Sequence, residues 1–133
     1  MSNRLANKAC IITGTSGSIG QAAAVAFARE GAIVVGSGQH VGDSEETIKA
    51  VREAGNTMAV FEPCDLGSPS ACQALVDFAV KTYGRIDVLF NNAARAYFNW
   101  VEDISDDEWH RNRRDEVDLV FYLTRAAWAA SEG

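Results

Sequence analysis

Residues 13–20 read Thr-Gly-Thr-Ser-Gly-Ser-Ile-Gly, and few stretches constrain a fold as tightly. A short apolar run, Cys10-Ile11-Ile12, leads into it, and an alanine-rich amphipathic segment follows as far as Glu30. Gly14, Gly17 and Gly20 are evenly spaced, which reads as strand, tight glycine loop and helix. Such a turn points backbone N–H groups and the positive end of a helix dipole outward, toward an anion. Glycine also lets a phosphate approach the backbone and lets the helix pack closely on its strand. Tight β–α turns use glycine for structural reasons alone, so the rest of the chain has to supply the context.

Downstream, strand and helix patterns alternate. The apolar run over 8–13 is continuous, as expected of a parallel strand covered on both faces. A first helix over 19–30 closes at Gly31, and a second strand occupies 32–36. Asp43 and Glu46 are spaced as a capping box for a second helix ending at Gly55. A third strand over 57–62 stops at Pro63, and Ser68-Pro69 is an N-cap and N1 pair for a third helix. That helix presents Ala71, Leu75, Phe78 and Ala79 on one face and ends at Gly84. A fourth strand over 86–90 ends in Asn91-Asn92, and Ser105 with Glu108 opens a long fourth helix to about Ala130. This β-α-β-α-β-α-β-α order implies an α/β fold with a parallel sheet and right-handed crossovers.

The 133 residues make one domain, and a 47% hydrophobic share supplies its core. A net charge of −6 makes the chain a poor nucleic-acid binder, because phosphate neutralisation needs clustered cations and Arg111, Arg113 and Arg114 sit among acids. No apolar run reaches the roughly 20 residues that cross a membrane, and MSNRLANK lacks the apolar core of a signal peptide, so the cytoplasm is the expected compartment. Cys10, Cys64 and Cys72 have no metal-ligand spacing with one another or with His40 or His110, so no metal site is expected and small buried thiols are.

Ligands of open parallel sheets bind at the carboxyl ends of the strands. Four segments fall on that rim: the glycine loop, Gly36-Ser37-Gly38-Gln39, Cys64-Asp65-Leu66 and Asn91-Asn92-Ala93-Ala94. Together they offer small residues and short polar groups for a pyrophosphate, two riboses and an adenine.

With these motifs in order, the sequence resembles the short-chain dehydrogenase/reductase family, in its single-domain branch. Thr13 to Gly20 is similar to the TGxxxGxG cofactor loop, Asp65-Leu66 to the adenine-contacting DL pair, and Asn91 to Ala94 to the NNAG segment. Trp109 and the run Leu119 to Trp128 resemble the family's fourth helix. The resemblance implies a Rossmann-like sheet of about four strands in the order 3-2-1-4, flanked by helices and cut before the fifth strand. It implies NAD or NADP as cofactor, held by Gly14, Ser16, Gly17, Ser18, Ile19, Gly20, Gly38, Gln39, Asp65, Leu66, Asn92, Ala93 and Ala94. It further implies subunit contacts through the fourth helix, with Val117, Phe121, Thr124 and Trp128 in an apolar stripe, and association through the free edge of the fourth strand.

Four departures accompany the match. Ser18 stands where the second loop glycine belongs, with Gly17 one place earlier, a spacing also similar to the extended, epimerase-like branch. Gly38 stands where NAD-preferring members carry an acid, and Gln39 and His40 are not the arginine of strong NADP selection, so the choice stays open with a lean to NADP or to weak selection. Glu116 stands at the position of the Asn that orders a relay water, and is the one candidate catalytic residue; it reads equally as an exposed carboxylate. Finally, the Ser and Tyr-x-x-x-Lys of the family's chemistry are absent: Tyr83, Tyr97 and Tyr122 are followed four places on by Asp87, Val101 and Ala126. The expectation is the cofactor-binding half of an oxidoreductase for an alcohol/carbonyl pair, inactive alone. The competing readings are a non-catalytic nucleotide-binding or interaction module and a truncated product without independent activity. Tyr97, Phe98 and Trp100 are either one wall of a substrate site or packing on the fourth helix.

Overall fold

The computed structural model describes residues 3–131. Four strands, β1 (Ala9–Ile12), β2 (Ile33–Ser37), β3 (Met58–Phe61) and β4 (Val88–Phe90), form one parallel sheet in the order β3-β2-β1-β4. The register pairs Ile12 with Gly36 and with Phe90, and Ser37 with Phe61, so all four strands end on one rim. Between them lie α1 (Ser18–Arg29), α2 (Glu45–Glu53) and α3 (Pro69–Tyr83). After β4 come α4 (Asp106–Arg113), a π turn (Arg114–Asp118) and α5 (Leu119–Ser131). Among the described residues no helix is long and apolar enough to cross a membrane.

Both sheet faces are covered, which is why the strands read as unbroken apolar runs rather than alternating ones. Cys10, Ile12 and Val34 face α1 and α2, with Ala24, Ala28 and Val51. Ile11 and Val35 point the other way, toward Leu75, Val76 and Ala79 of α3 and Leu123, Ala126 and Ala127 of α5. A fully buried leucine such as Leu75 or Leu123 contributes about 2 kcal/mol from apolar burial. Gly20, Ala24 and Ala28, four residues apart, form the buried face of α1 and let it lie close to the sheet.

The helix boundaries follow local chemistry with two exceptions. Ser68 Oγ accepts the Ala71 N–H, Pro69 occupies the first helical position, and Gly84 at φ +80° closes α3. Its buried stripe is Cys72, Leu75, Val76 and Ala79, with Ala71 and Phe78 only at its margin, so the expected face is turned by about one residue. At α4, Ser105 Oγ accepts the Glu108 N–H, but the Glu108 carboxylate accepts from Asn99 Nδ2 instead of reaching back. The capping box expected at Asp43 and Glu46 does not form. Asp43 accepts the His40 N–H, the N-cap is Ser44, and the Ser44 hydroxyl is drawn away to Glu62. The long fourth helix runs as expected, continuous from Asp106 to Ser131, with the π turn between α4 and α5 set inside it.

Strand β4 is the outer strand on its side, with no partner among the described residues. A groove beside it is lined by Leu89, Asn91, Thr124 and Trp128, and the buried Asn91 Oδ1 has no hydrogen-bond partner. Val117, Phe121, Thr124 and Trp128 are exposed along the neighbouring helix. Unpaired strand groups beside apolar surface template association. Light scattering of the 133-residue chain is therefore expected to read above the monomer mass as concentration rises; a stable monomer throughout would contradict this.

Candidate functional site

Strand order reverses between β1 and β4, and the loop after β1 opens on that point. The two strand ends are tied together there. The hydroxyl of Thr13, itself buried, accepts the N–H groups of Asn92 (3.0 Å) and Ala93 (2.9 Å). In return, Asn92 Nδ2 donates to the carbonyls of Thr13 (3.1 Å) and Gly14 (3.3 Å). Asn92 thus spends its amide on shaping the loop. Gly14 turns with φ +68°, a left-handed conformation that a β-carbon disfavours.

Gly17 is the N-cap of α1, without a side-chain cap. The N–H groups of Ser18, Ile19 and Gly20 find no backbone acceptor among the described residues. The glycines differ in what demands them. A β-carbon on Gly20 would lie 2.1 Å from the Gly14 carbonyl oxygen, so Gly20 is required by the fold itself. One on Gly17 would meet nothing closer than 3.7 Å. The space above Gly17 is open and faces unpaired donors, which is the arrangement an anion occupies at a helix start.

Beneath the loop lies a buried polar chain. Thr15 Oγ1 is 3.3 Å from the Ser37 carbonyl and 2.9 Å from Ser44 Oγ. Ser44 Oγ donates to Glu62 Oε2 at 3.0 Å. The Ser37 carbonyl and the Glu62 carboxylate only accept, and the two hydroxyls carry one hydrogen each, so the Thr15–Ser44 contact competes with the bonds to Ser37 and Glu62. Thr47 Oγ1 donates to the Thr15 carbonyl. Thr15, Ser37, Ser44 and Thr47 are all buried, and the chain joins the glycine loop, the end of β2, the start of α2 and the end of β3. Buried hydrogen-bonded networks tie such segments to one another.

The four rim segments enclose a cleft of about 420 Å³, within the usual size of a small-molecule site. Gly14, Ser16, Gly17, Ser18, Ile19, Gly20, Gly38, Gln39, Asp65, Leu66, Asn92, Ala93 and Ala94 all line it. Ser37 and Cys64 of the expected rim segments line it too, and Asp43, Gly67, Arg95, Asp115 and Leu119 join them, unforeseen from sequence. At one end, Asp65 is held by Arg114, whose guanidinium lies over Gly67 and also donates to Asp115 Oδ1 at 2.9 Å. Asp65 Oδ1 accepts the Gly67 N–H (3.1 Å). Cys64 borders the cleft, but burial pushes its thiol up to about 12, so it stays uncharged at neutral pH and is no nucleophile. Burial likewise raises Cys10 and Cys72, each to about 11.

Glu116 is not brought to the cleft: it is exposed on the π turn, and Asp115 takes the inward place. Of the two readings of Glu116, the exposed carboxylate is the one this placement matches. A π turn closes on the fifth residue rather than the fourth and changes which side chain faces inward. Asp115 accepts the Tyr97 hydroxyl at 2.9 Å, and its carbonyl accepts the Arg95 N–H at 3.1 Å. Of the three aromatic candidates, Tyr97 packs on this turn, while Phe98 and Trp100 are 93% and 75% exposed and line nothing.

Comparison with known proteins places this geometry. Residues 8–131 match the family described as short chain dehydrogenase. The chain is 38% identical over 133 residues to an NADPH-dependent aldehyde reductase 1, chloroplastic, of Arabidopsis thaliana, covering 95% of this chain and 46% of that protein. It superposes on a short-chain type dehydrogenase/reductase from Mycobacterium marinum with a TM-score of 0.91 at 27% identity, covering 95% of this chain and 51% of that one. An NAD+-bound xylitol dehydrogenase gives 0.89 at 31% identity, covering 96% of this chain and 49% of that one. The chain thus spans about half the length of the relatives it matches.

Proposed function

Because this chain belongs to the short-chain dehydrogenase family, we propose that its cleft binds a nicotinamide dinucleotide, NAD or NADP, as the cofactor half of an oxidoreductase for an alcohol/carbonyl pair. The observation that carries this is the convergence of four strand-end loops on one cleft, with three open N–H groups at the start of α1 and vacant space above Gly17. In this reading Ser18, Ile19 and Gly20 donate backbone N–H groups to the pyrophosphate. Exposed Ser18 begins the helix, and its hydroxyl adds a donor there. Gly38, Asp65 and Leu66 hold the adenosine half; Asp65 stays an acceptor, since Arg114 and Gly67 leave it free lone pairs. Asn92 fixes the loop, and Ala93, Ala94 and Leu119 line the nicotinamide half. When bound, the nicotinamide supplies or accepts the hydride.

Related proteins with an NADPH-dependent and an NAD+-bound description support the cofactor class without choosing between its members. A second reading, nucleotide binding without turnover, is favoured by one observation: these 133 residues contain no Tyr-x-x-x-Lys. Both readings require binding. Titration of NADH and of NADPH against the fluorescence of Trp100, Trp109 and Trp128 is expected to saturate with at least one of them. No saturable change with either, and no heat by calorimetry, would remove the dinucleotide reading.

A further inference from the structure

We infer that the adenosine end of this cleft selects NAD over NADP through two carboxylates, Glu62 and Asp43, that stand beside Gly38 in place of a charged side chain on Gly38 itself. The inference rests on the dinucleotide reading above and names which dinucleotide that site takes. In sheets of this type the adenosine ribose meets the chain at the end of the second strand, about 20 residues past the glycine loop. Here that position is Gly38, buried and without a side chain.

The volume is nonetheless occupied. A β-carbon built on Gly38 would lie 2.1 Å from Glu62 Oε2 and 3.1 Å from Asp43 Cβ. Glu62, just past the end of β3, thus lays its carboxylate against the Gly38 backbone. The Cys64 N–H bonded to the Gly38 carbonyl at 2.9 Å locks the two strand ends together. Oε2 is held by the Ser44 N–H (3.1 Å) and hydroxyl (3.0 Å), while Oε1 has no protein hydrogen-bond partner among the described residues. Asp43 borders the cleft, one oxygen held by the His40 N–H at 3.0 Å.

Asp43 is the carboxylate that borders the cleft here, and Glu62, which is not among the lining residues, sets a second negative charge behind the Gly38 backbone. The Asp43 carboxylate suits the 2′- and 3′-hydroxyls of NAD, which donate. Both carboxylates oppose the 2′-phosphate of NADP, which brings about two negative charges to the same place. Gln39 adds no charge, and the Arg114 guanidinium is engaged by Asp65 and Asp115. The lean toward NADP drawn from the missing acid at position 38 is thereby reversed. Selectivity arises from a repulsive element against the wrong ligand as much as from contacts to the right one.

The test is calorimetric titration of the 133-residue chain with NADH and NADPH at pH 8, repeated on Asp43→Asn, Glu62→Gln and the double variant. Both replacements keep an oxygen for the N–H donors and remove only charge. The unaltered chain is expected to bind NADH more tightly by about tenfold or more. In the double variant the ratio falls toward one, mainly through tighter NADPH binding, and added salt narrows the ratio in the unaltered chain. Asp43→Asn lies outside the buried network and tests the charge effect even where Glu62→Gln lowers stability. Equal binding of the two dinucleotides by the unaltered chain, or a ratio unmoved by both substitutions, overturns the inference while leaving the dinucleotide reading in place. Binding of neither overturns both.

Discussion

Replacing Gly20 by alanine is expected to destabilise the chain and abolish dinucleotide binding, whereas Gly17→Ala is expected to spare the fold and weaken binding alone. The added β-carbon at position 20 would lie 2.1 Å from the Gly14 oxygen, 2.8 Å from the Gly14 carbonyl carbon and 3.0 Å from Asn92 Nδ2. Two of these are backbone atoms, which cannot swing aside. Moving Gly14 breaks the hydrogen bond from Asn92 that sets the loop against β4. Overpacking of this kind costs about 1–3 kcal/mol, with the upper end expected where backbone must shift. At Gly17, with φ −82° and ψ 165°, alanine is sterically allowed, and the nearest atom is 3.7 Å away. Its effect on stability is expected to stay within about 1 kcal/mol, loss of a glycine N-cap being offset by a stiffer unfolded chain. Its methyl group nevertheless enters the space before the open N–H groups, and affinity is expected to fall about tenfold or more. Thermal unfolding and titration on both variants check this. Equal loss of stability, or undiminished binding by Gly17→Ala, would contradict the division between structural and ligand-facing glycines.

No measurable turnover is expected from the 133-residue chain, even with cofactor bound. Proton transfer to or from the substrate oxygen needs a positioned acid or base. A tyrosine, with an ordinary pKa of about 10, performs it near neutrality only when a neighbouring cation assists. Tyr97 instead donates its hydroxyl to Asp115, and no tyrosine here is followed by lysine at the fourth place. Loss of general acid–base catalysis alone costs about 10²–10⁴ in rate, and loss of substrate positioning adds to it. Following NADH and NADPH absorbance with a panel of aldehydes and ketones should show no oxidation above the uncatalysed rate. Oxidation at an ordinary ketoreductase rate would show that other residues of this chain, Asp115 foremost among those facing the cleft, perform the proton transfer.

Much of the frame was legible in the residues. The alternation of strands and helices, the parallel sheet and the rim segments follow from periodicity and turn chemistry, which are local. The strand order 3-2-1-4 came from family resemblance. Local reading failed where other partners competed: Asp43, expected to cap α2, accepts the His40 N–H, and the hydroxyl of the actual N-cap, Ser44, goes to Glu62, 18 residues away. Nothing in the local pattern marks the π turn that sets Asp115, rather than Glu116, against the cleft. The charge beside Gly38 was illegible for the same reason. Its carboxylates belong to the residue just past β3 and to the loop before α2, and only strand pairing brings Glu62 alongside.

By itself, then, the sequence determined the element order, the glycine loop and the rim segments that line the cleft, because each depends on spacing within a few residues. The tertiary structure decided which glycine serves the fold and which faces open space, which carboxylate lines the cleft, and what charge lies beside Gly38. These depend on distances between segments 20–80 residues apart, set by register and packing rather than by any local pattern.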